Sequence, residues 1–97
     1  MTDNSVSFRD FYDDNANLSP AERAKIEFEV ELIGKLIKAR EDKGLTQGQL
    51  AEAAGLKQSA VARLESLKAT PQIDTLFKVL TPMGYKLTIM PIESEHQ

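Results

Sequence analysis

The sequence predicts a mainly α chain of four helices, the first of them long, followed by a C-terminal β-strand. Three observations predict it. Ser19-Pro20-Ala21-Glu22 and Thr46-Gln47-Gly48-Gln49 both have the form of a capping box, in which a hydroxyl accepts a backbone N–H three residues on and a Glu or Gln side chain reaches back. Gly44, Gly55 and Gly84 each stand where a helix-periodic stretch stops. Finally, Tyr85-Lys86-Leu87-Thr88-Ile89-Met90 alternates apolar and polar side chains, the period of a strand.

Taken in order, residues 1–18 are polar and acidic residues interleaved with Phe8, Phe11 and Tyr12, without a helical or strand period, and predict a flexible arm. The first helix opens at Ser19, with Pro20 at the first helical position, where no N–H is needed. It runs to Lys43 and is roughly 36 Å long at 1.5 Å per residue. Ile26 to Leu32 alternates as a strand would. The upstream cap, the lack of a turn residue before Gly34 and the 4, 3, 4 spacing of Ile26, Val30, Ile33 and Ile37 decide for helix. Phe28, Leu32 and Leu36 then form a second apolar stripe, more than a small domain readily buries alone. A short second helix runs through Ala54, Gly55 turns the chain, and a third helix runs from Gln58 to about Leu67. After the loop Lys68-Ala69-Thr70-Pro71, the spacing of Ile73, Leu76, Phe77 and Leu80 gives the fourth helix, which ends before Gly84. Pro91 ends the strand. The chain thus divides into an arm (1–18), a helical domain (19–84) and a strand with its tail (85–97).

The 97 residues suit one domain and include no cysteine, which removes disulfides and Cys-based zinc sites. The net charge of −3 hides a segregation: residues 1–31 carry eight acids and three bases, residues 32–86 nine bases and five acids. An acidic head precedes a basic body, and each should meet a partner of opposite charge. No apolar run approaches the ~18 residues of a membrane span, and the N-terminus has no apolar secretory region; the expected location is cytoplasmic. No enzyme is expected. The lone His96 lies in the tail, there is no glycine-rich phosphate loop, and no carboxylate pair has a base or metal beside it. No cofactor or metal is implied.

Two short helices joined by a glycine turn are the geometry of a helix-turn-helix, here residues 46–65. Leu50, Ala51, Ala54, Val61 and Leu64 supply its apolar seam. The string Leu45-Thr46-Gln47, Leu50-Ala51, Gly55-Leu56, Ser59, Val61, Arg63-Leu64-Glu65 resembles the Cro/repressor-type (XRE) helix-turn-helix family over roughly residues 32–84. The resemblance implies a third helix that enters the major groove of DNA. It places Lys57, Gln58, Ser59 and Arg63 on DNA-facing positions, Thr46 and Gln47 at a phosphate-touching helix start, and Arg40 with Glu65 as a buried ion pair between the first and third helices. The side-chain chemistry fits: Gln pairs bidentately with adenine, and Arg reaches guanine or phosphate. Two readings stay open at single positions. Arg63 is a DNA contact or half of a surface ion pair, and Gln47 a phosphate contact or simply a helix-start residue.

The family usually continues with a fifth helix, so the strand is a departure. A lone strand cannot satisfy its backbone. Pairing with its copy in a second chain, through Tyr85, Leu87 and Ile89, would give a homodimer with two reading helices about one DNA turn apart, matched to a palindromic operator. Folding back onto the fourth helix is the alternative. The strand and the N-terminal extension are similar to antitoxins of the HigA type, which implies a partner toxin, a basic RelE-like ribonuclease. Phe8, Phe11, Tyr12, Phe28 and Leu32 are its candidate anchors, unless the aromatics cover the first helix instead. A repressor without a toxin is the other reading.

Overall fold

The computed structural model of the protein describes residues 18–92, which form four helices: α1 Pro20–Asp42, α2 Gln47–Ala54, α3 Gln58–Glu65 and α4 Ile73–Met83. The chain divides into two units between Leu32 and Ile33.

In the first unit, α1 begins on a reciprocal cap. The Glu22 N–H donates to Ser19 Oγ at 3.1 Å, and the Ser19 N–H donates to Glu22 Oε1 at 2.8 Å. One turn on, Lys25 Nζ lies 2.9 Å from Glu29 Oε2, an i,i+4 pair of the kind that adds a few tenths of a kcal/mol. The alternating segment Ile26 to Leu32 is helix throughout. Phe28 and Val30 are exposed there, at 53% and 61%, while Ile26 and Leu32 are half-buried.

The cap makes a pH prediction. Accepting the backbone N–H and the side chain of Ser19 holds the Glu22 carboxyl below its ordinary value of 4.5. A depressed carboxylate pKa stabilises the helix above the unfolded value and loses that contribution as pH falls through the folded one. The Ser19 amide resonance should therefore titrate with a midpoint below 4.5, and Glu22→Gln should abolish the titration while leaving the helix formed at neutral pH.

The second unit holds the core. Ile33 and Leu36 from α1, Leu50 and Ala51 from α2, Val61 and Leu64 from α3, and Leu76, Val79, Leu80 and Met83 from α4 are all buried. Each recurs at spacings of one, three or four, which put them on one face of each helix. The core draws one residue from each apolar stripe of α1, Ile33 and Leu36, rather than one whole stripe. α2 packs against both α3 and α4. Its end shows why glycine stands at 55: φ is +72°, and in that conformation the Gly55 N–H reaches the Ala51 and Glu52 carbonyls that α2 leaves unpaired. The stop of α3 uses no glycine. Leu67 takes φ +55°, the left-handed region that costs an L-residue roughly 1–2 kcal/mol, and α3 ends at Glu65 rather than near Leu67.

The expected C-terminal strand is not there. Among the described residues no β-strand occurs, and Tyr85 to Met90 form neither strand nor helix. The Tyr85 N–H returns to the Leu80 carbonyl at 3.0 Å, which closes α4 rather than opening a ladder. Alternation says which side chains share a face, but a strand exists only where a second one accepts its N–H groups. The dimer contact assigned to Tyr85, Leu87 and Ile89 therefore has no strand within the chain to rest on. Tyr85 and Ile89 stand 53% and 97% exposed, and Leu87 is half-buried.

Candidate nucleic-acid interface

Thr46 has extended backbone angles and caps α2 from both sides. Its Oγ1 accepts the Gln49 N–H at 3.0 Å, and its own N–H donates to Gln49 Oε1 at 2.9 Å. Its hydroxyl is thereby committed to holding the helix start. That fixes Gln47 as the first residue of α2. Lys57 is the corresponding cap residue of α3 and makes no side-chain cap bond, so Gln58 begins α3 at an exposed end. The N-terminus of a helix carries unpaired N–H groups and partial positive charge, which favours an anionic neighbour such as phosphate.

Lys57, Gln58, Ser59 and Arg63 are exposed, whereas Val61 and Leu64 on the same short helix are buried. α3 thus presents a polar, basic face outward and anchors itself through the opposite one. Neither Lys57 nor Arg63 forms an ion pair among the described residues, so both cations remain available to a polyanion. They border an open groove of about 500 Å³ between α3 and the loop that follows it, which Ser59, Thr70 and Thr75 also line. By contrast, Lys38 on α1 is held by Asp42 at 3.2 Å on a solvated face.

Behind this face stands a polar chain. Arg40 Nε donates to Glu65 Oε2 at 2.6 Å and Arg40 Nη2 to Glu65 Oε1 at 3.0 Å, a bidentate pair with side chains only 12% and 5% exposed. Arg40 Nη1 donates to the Leu45 carbonyl at 2.8 Å. The bond to Glu65 raises the Arg40 pKa above its ordinary value, so the guanidinium stays charged. Glu65 Oε1 also accepts from Gln47 Nε2 at 3.0 Å, and Gln47 Oε1 accepts from Gln58 Nε2 at 3.2 Å. The start of α2 and the start of α3 are therefore tied to each other and to the end of α3.

Sequence reasoning placed Gln47 and Gln58 at separate jobs and did not anticipate their bond. The available signal was that each is the first residue of its helix on either side of one tight turn. Gly48 belongs to the same corner: a Cβ there would sit 3.9 Å from the Gln58 side chain. Thr70 and Thr75 at the groove were also missed. Phe8, Phe11, Tyr12 and His96 lie outside the described residues. No group of three or more His, Cys, Asp or Glu suited to a metal occurs among the described residues, and no described helix is long and apolar enough to cross a membrane.

The model of the Helix-turn-helix protein family matches residues 36–90. An uncharacterized HTH-type transcriptional regulator of Haemophilus influenzae is 43% identical over 63 residues, which are 65% of this chain and 64% of that protein. The HTH-type transcriptional regulator PuuR of Escherichia coli is 39% identical over 54 residues, 56% of this chain but only 29% of PuuR. Among solved structures, a chain of a toxin–antitoxin module from Streptococcus pneumoniae superposes with a TM-score of 0.66 at 38% identity, covering 86% of this chain and 92% of that one.

Proposed function

Because this chain belongs to the XRE-type helix-turn-helix family, we propose that it is a sequence-specific DNA-binding repressor that is also the antitoxin of a toxin–antitoxin pair. The observation that carries the DNA-reading half is Gln58, exposed at the start of α3 and steadied from behind by Gln47. Gln58 reads a base edge in the major groove. Arg63 and Lys57 meet guanine or phosphate, Ser59 adds a short contact, and Thr46 with Gln47 sets the start of α2 against the backbone. Arg40 and Glu65 hold the frame. The protein works in the cytoplasm by binding alone, as a homodimer on a palindromic operator, with the apolar side chains of Tyr85, Leu87 and Ile89 as candidate contacts between copies.

The antitoxin half is supported by the toxin–antitoxin neighbour and by charge. The acidic first third suits a basic partner, an RelE-like mRNA-cleaving toxin. Phe8, Phe11, Tyr12, Phe28 and Leu32 are its anchors, and the exposure of Phe28 leaves that ring available. A stand-alone regulator is the second reading, favoured by the names of the Haemophilus and Escherichia relatives.

Gln58→Ala and Arg63→Ala should each weaken specific operator binding roughly tenfold or more, since a good bidentate base contact is worth about 1–3 kcal/mol. A mobility-shift titration reads this directly, and unchanged affinity in both would remove the assignment of α3 as the reading helix. Phe28→Asp should weaken capture of a basic RelE-like toxin at least tenfold, measured by calorimetry, with operator affinity intact. If a pull-down from the native host recovers no such protein with the unmodified chain, the stand-alone reading is the correct one.

A further inference from the structure

We propose that Glu65 sets the reading direction of Gln58, acting through two hydrogen bonds and without touching DNA. The inference rests on the DNA-reading function proposed above and adds a residue that determines its specificity. Its premise is a matter of donors and acceptors. Arg40 can only donate, and it donates to both oxygens of Glu65. As a carboxylate with both oxygens accepting from Arg40, Glu65 has no hydrogen to donate. Whatever else bonds it must bring an N–H or O–H.

Gln47 brings its amide nitrogen to Glu65 Oε1. With its nitrogen turned toward Glu65, Gln47 presents its carbonyl oxygen to Gln58. Gln58 accordingly gives Gln47 one N–H of its amide. What remains on the exposed edge of Gln58 is one carbonyl oxygen and one N–H, with the nitrogen next to Gln47 and the oxygen away from it. The first link has a single permitted sense because Glu65 cannot donate, and the second follows from the end of the Gln47 amide that faces Gln58.

An amide with no such constraint has two nearly isosteric orientations, which exchange the positions of its donor and acceptor. If Glu65 were replaced by a group able to donate, or removed, Gln47 and Gln58 could turn over together. The exposed edge would then carry its acceptor where its donor had been. Adenine offers a donor at N6 beside an acceptor at N7, so the two orientations of Gln58 do not read the same base pair equally. The part-buried pair thus does more than hold α1 to α3: it supplies the fixed polarity on which base choice depends. Glu65 is a positioning residue in this sense.

The test uses the full chain and selection from randomised duplex DNA, followed by affinity measurements on sites changed at one base pair. Gln58→Ala first identifies the base pair that Gln58 reads. Arg40→Met combined with Glu65→Leu then removes the carboxylate without leaving an unpaired buried charge and without altering net charge. In the unmodified chain, changing that base pair should cost about tenfold or more in affinity. In the double variant the penalty should fall below about threefold there, with other positions and the salt dependence unchanged. Gln47→Met keeps the Arg40–Glu65 pair, cuts the chain at its middle link, and should lower the same penalty even if the double variant folds poorly. Full discrimination in either folded variant would overturn the inference while leaving the DNA-reading function in place. If the unmodified chain selects no sequence at all, the reading function itself fails and the inference with it.

Discussion

Glu65→Ala is expected to cost about 3 kcal/mol of folding stability, the lower end of what breaking a buried ion pair costs. The magnitude comes from what is left behind rather than from what is lost. Glu65 accepts from Arg40 twice and from Gln47 once, and its side chain is 5% exposed. Without it, Arg40 keeps only the Leu45 carbonyl, and a guanidinium 12% exposed has little water to compensate. Exposed pairs such as Lys38–Asp42 behave differently, because solvent replaces either partner and the pair contributes at most ~1 kcal/mol. Replacing both members by apolar residues, Arg40→Met with Glu65→Leu, should be close to neutral, since the pair's own attraction is largely offset by the desolvation of its charges. Chemical denaturation of the two variants measures the contrast directly. For a chain of this size, each kcal/mol shifts the melting temperature by roughly 4–8 °C, so the single variant should melt more than ~10 °C lower. A loss under ~1 kcal/mol in Glu65→Ala would mean that water already reaches the pair.

How much of this was legible beforehand depended on how far apart the interacting residues stand. Helix starts are local. Ser19 with Glu22 and Thr46 with Gln49 are separated by three residues, and both boxes form with both of their hydrogen bonds. The stops at Gly44, Gly55 and Gly84 are local as well, each glycine at positive φ. Tyr85 to Met90 failed because a strand is not a local object. Its alternation marks two faces and says nothing about whether a second strand lies alongside. α1 shows the same limit. Periodicity drew two apolar stripes on it, but which of their residues become core depends on the neighbours that cover them, and the core took Ile33 and Leu36 alone. At the candidate site, sequence offered Gln47, Gln58 and Glu65 as separate positions. The bonds that join them span eleven and eighteen residues, and amide orientation leaves no mark on spacing.

Leu50→Ala is the second large effect, expected to cost about 3 kcal/mol, within the range of about 2–5 kcal/mol for Leu→Ala in a core. Leu50 is fully buried on α2, the helix that packs against both α3 and α4, so the vacated volume lies where three helices converge and cannot collapse without moving one of them. Leu50→Met, which nearly conserves volume, should cost under ~1.5 kcal/mol. The consequence for function separates two accounts of what holds the reading helix in place. Gln47 rides on α2 and Gln58 on α3, so their alignment depends on the angle between these helices. If the apolar seam sets that angle, Leu50→Ala should weaken specific operator binding well below its melting temperature, where the folded fraction is near one, and Leu50→Met should restore it. If affinity per folded molecule is instead unchanged, the seam supplies stability only. The angle is then set by the polar chain from Arg40 through Glu65 and Gln47 to Gln58, which spans both helices independently of the core.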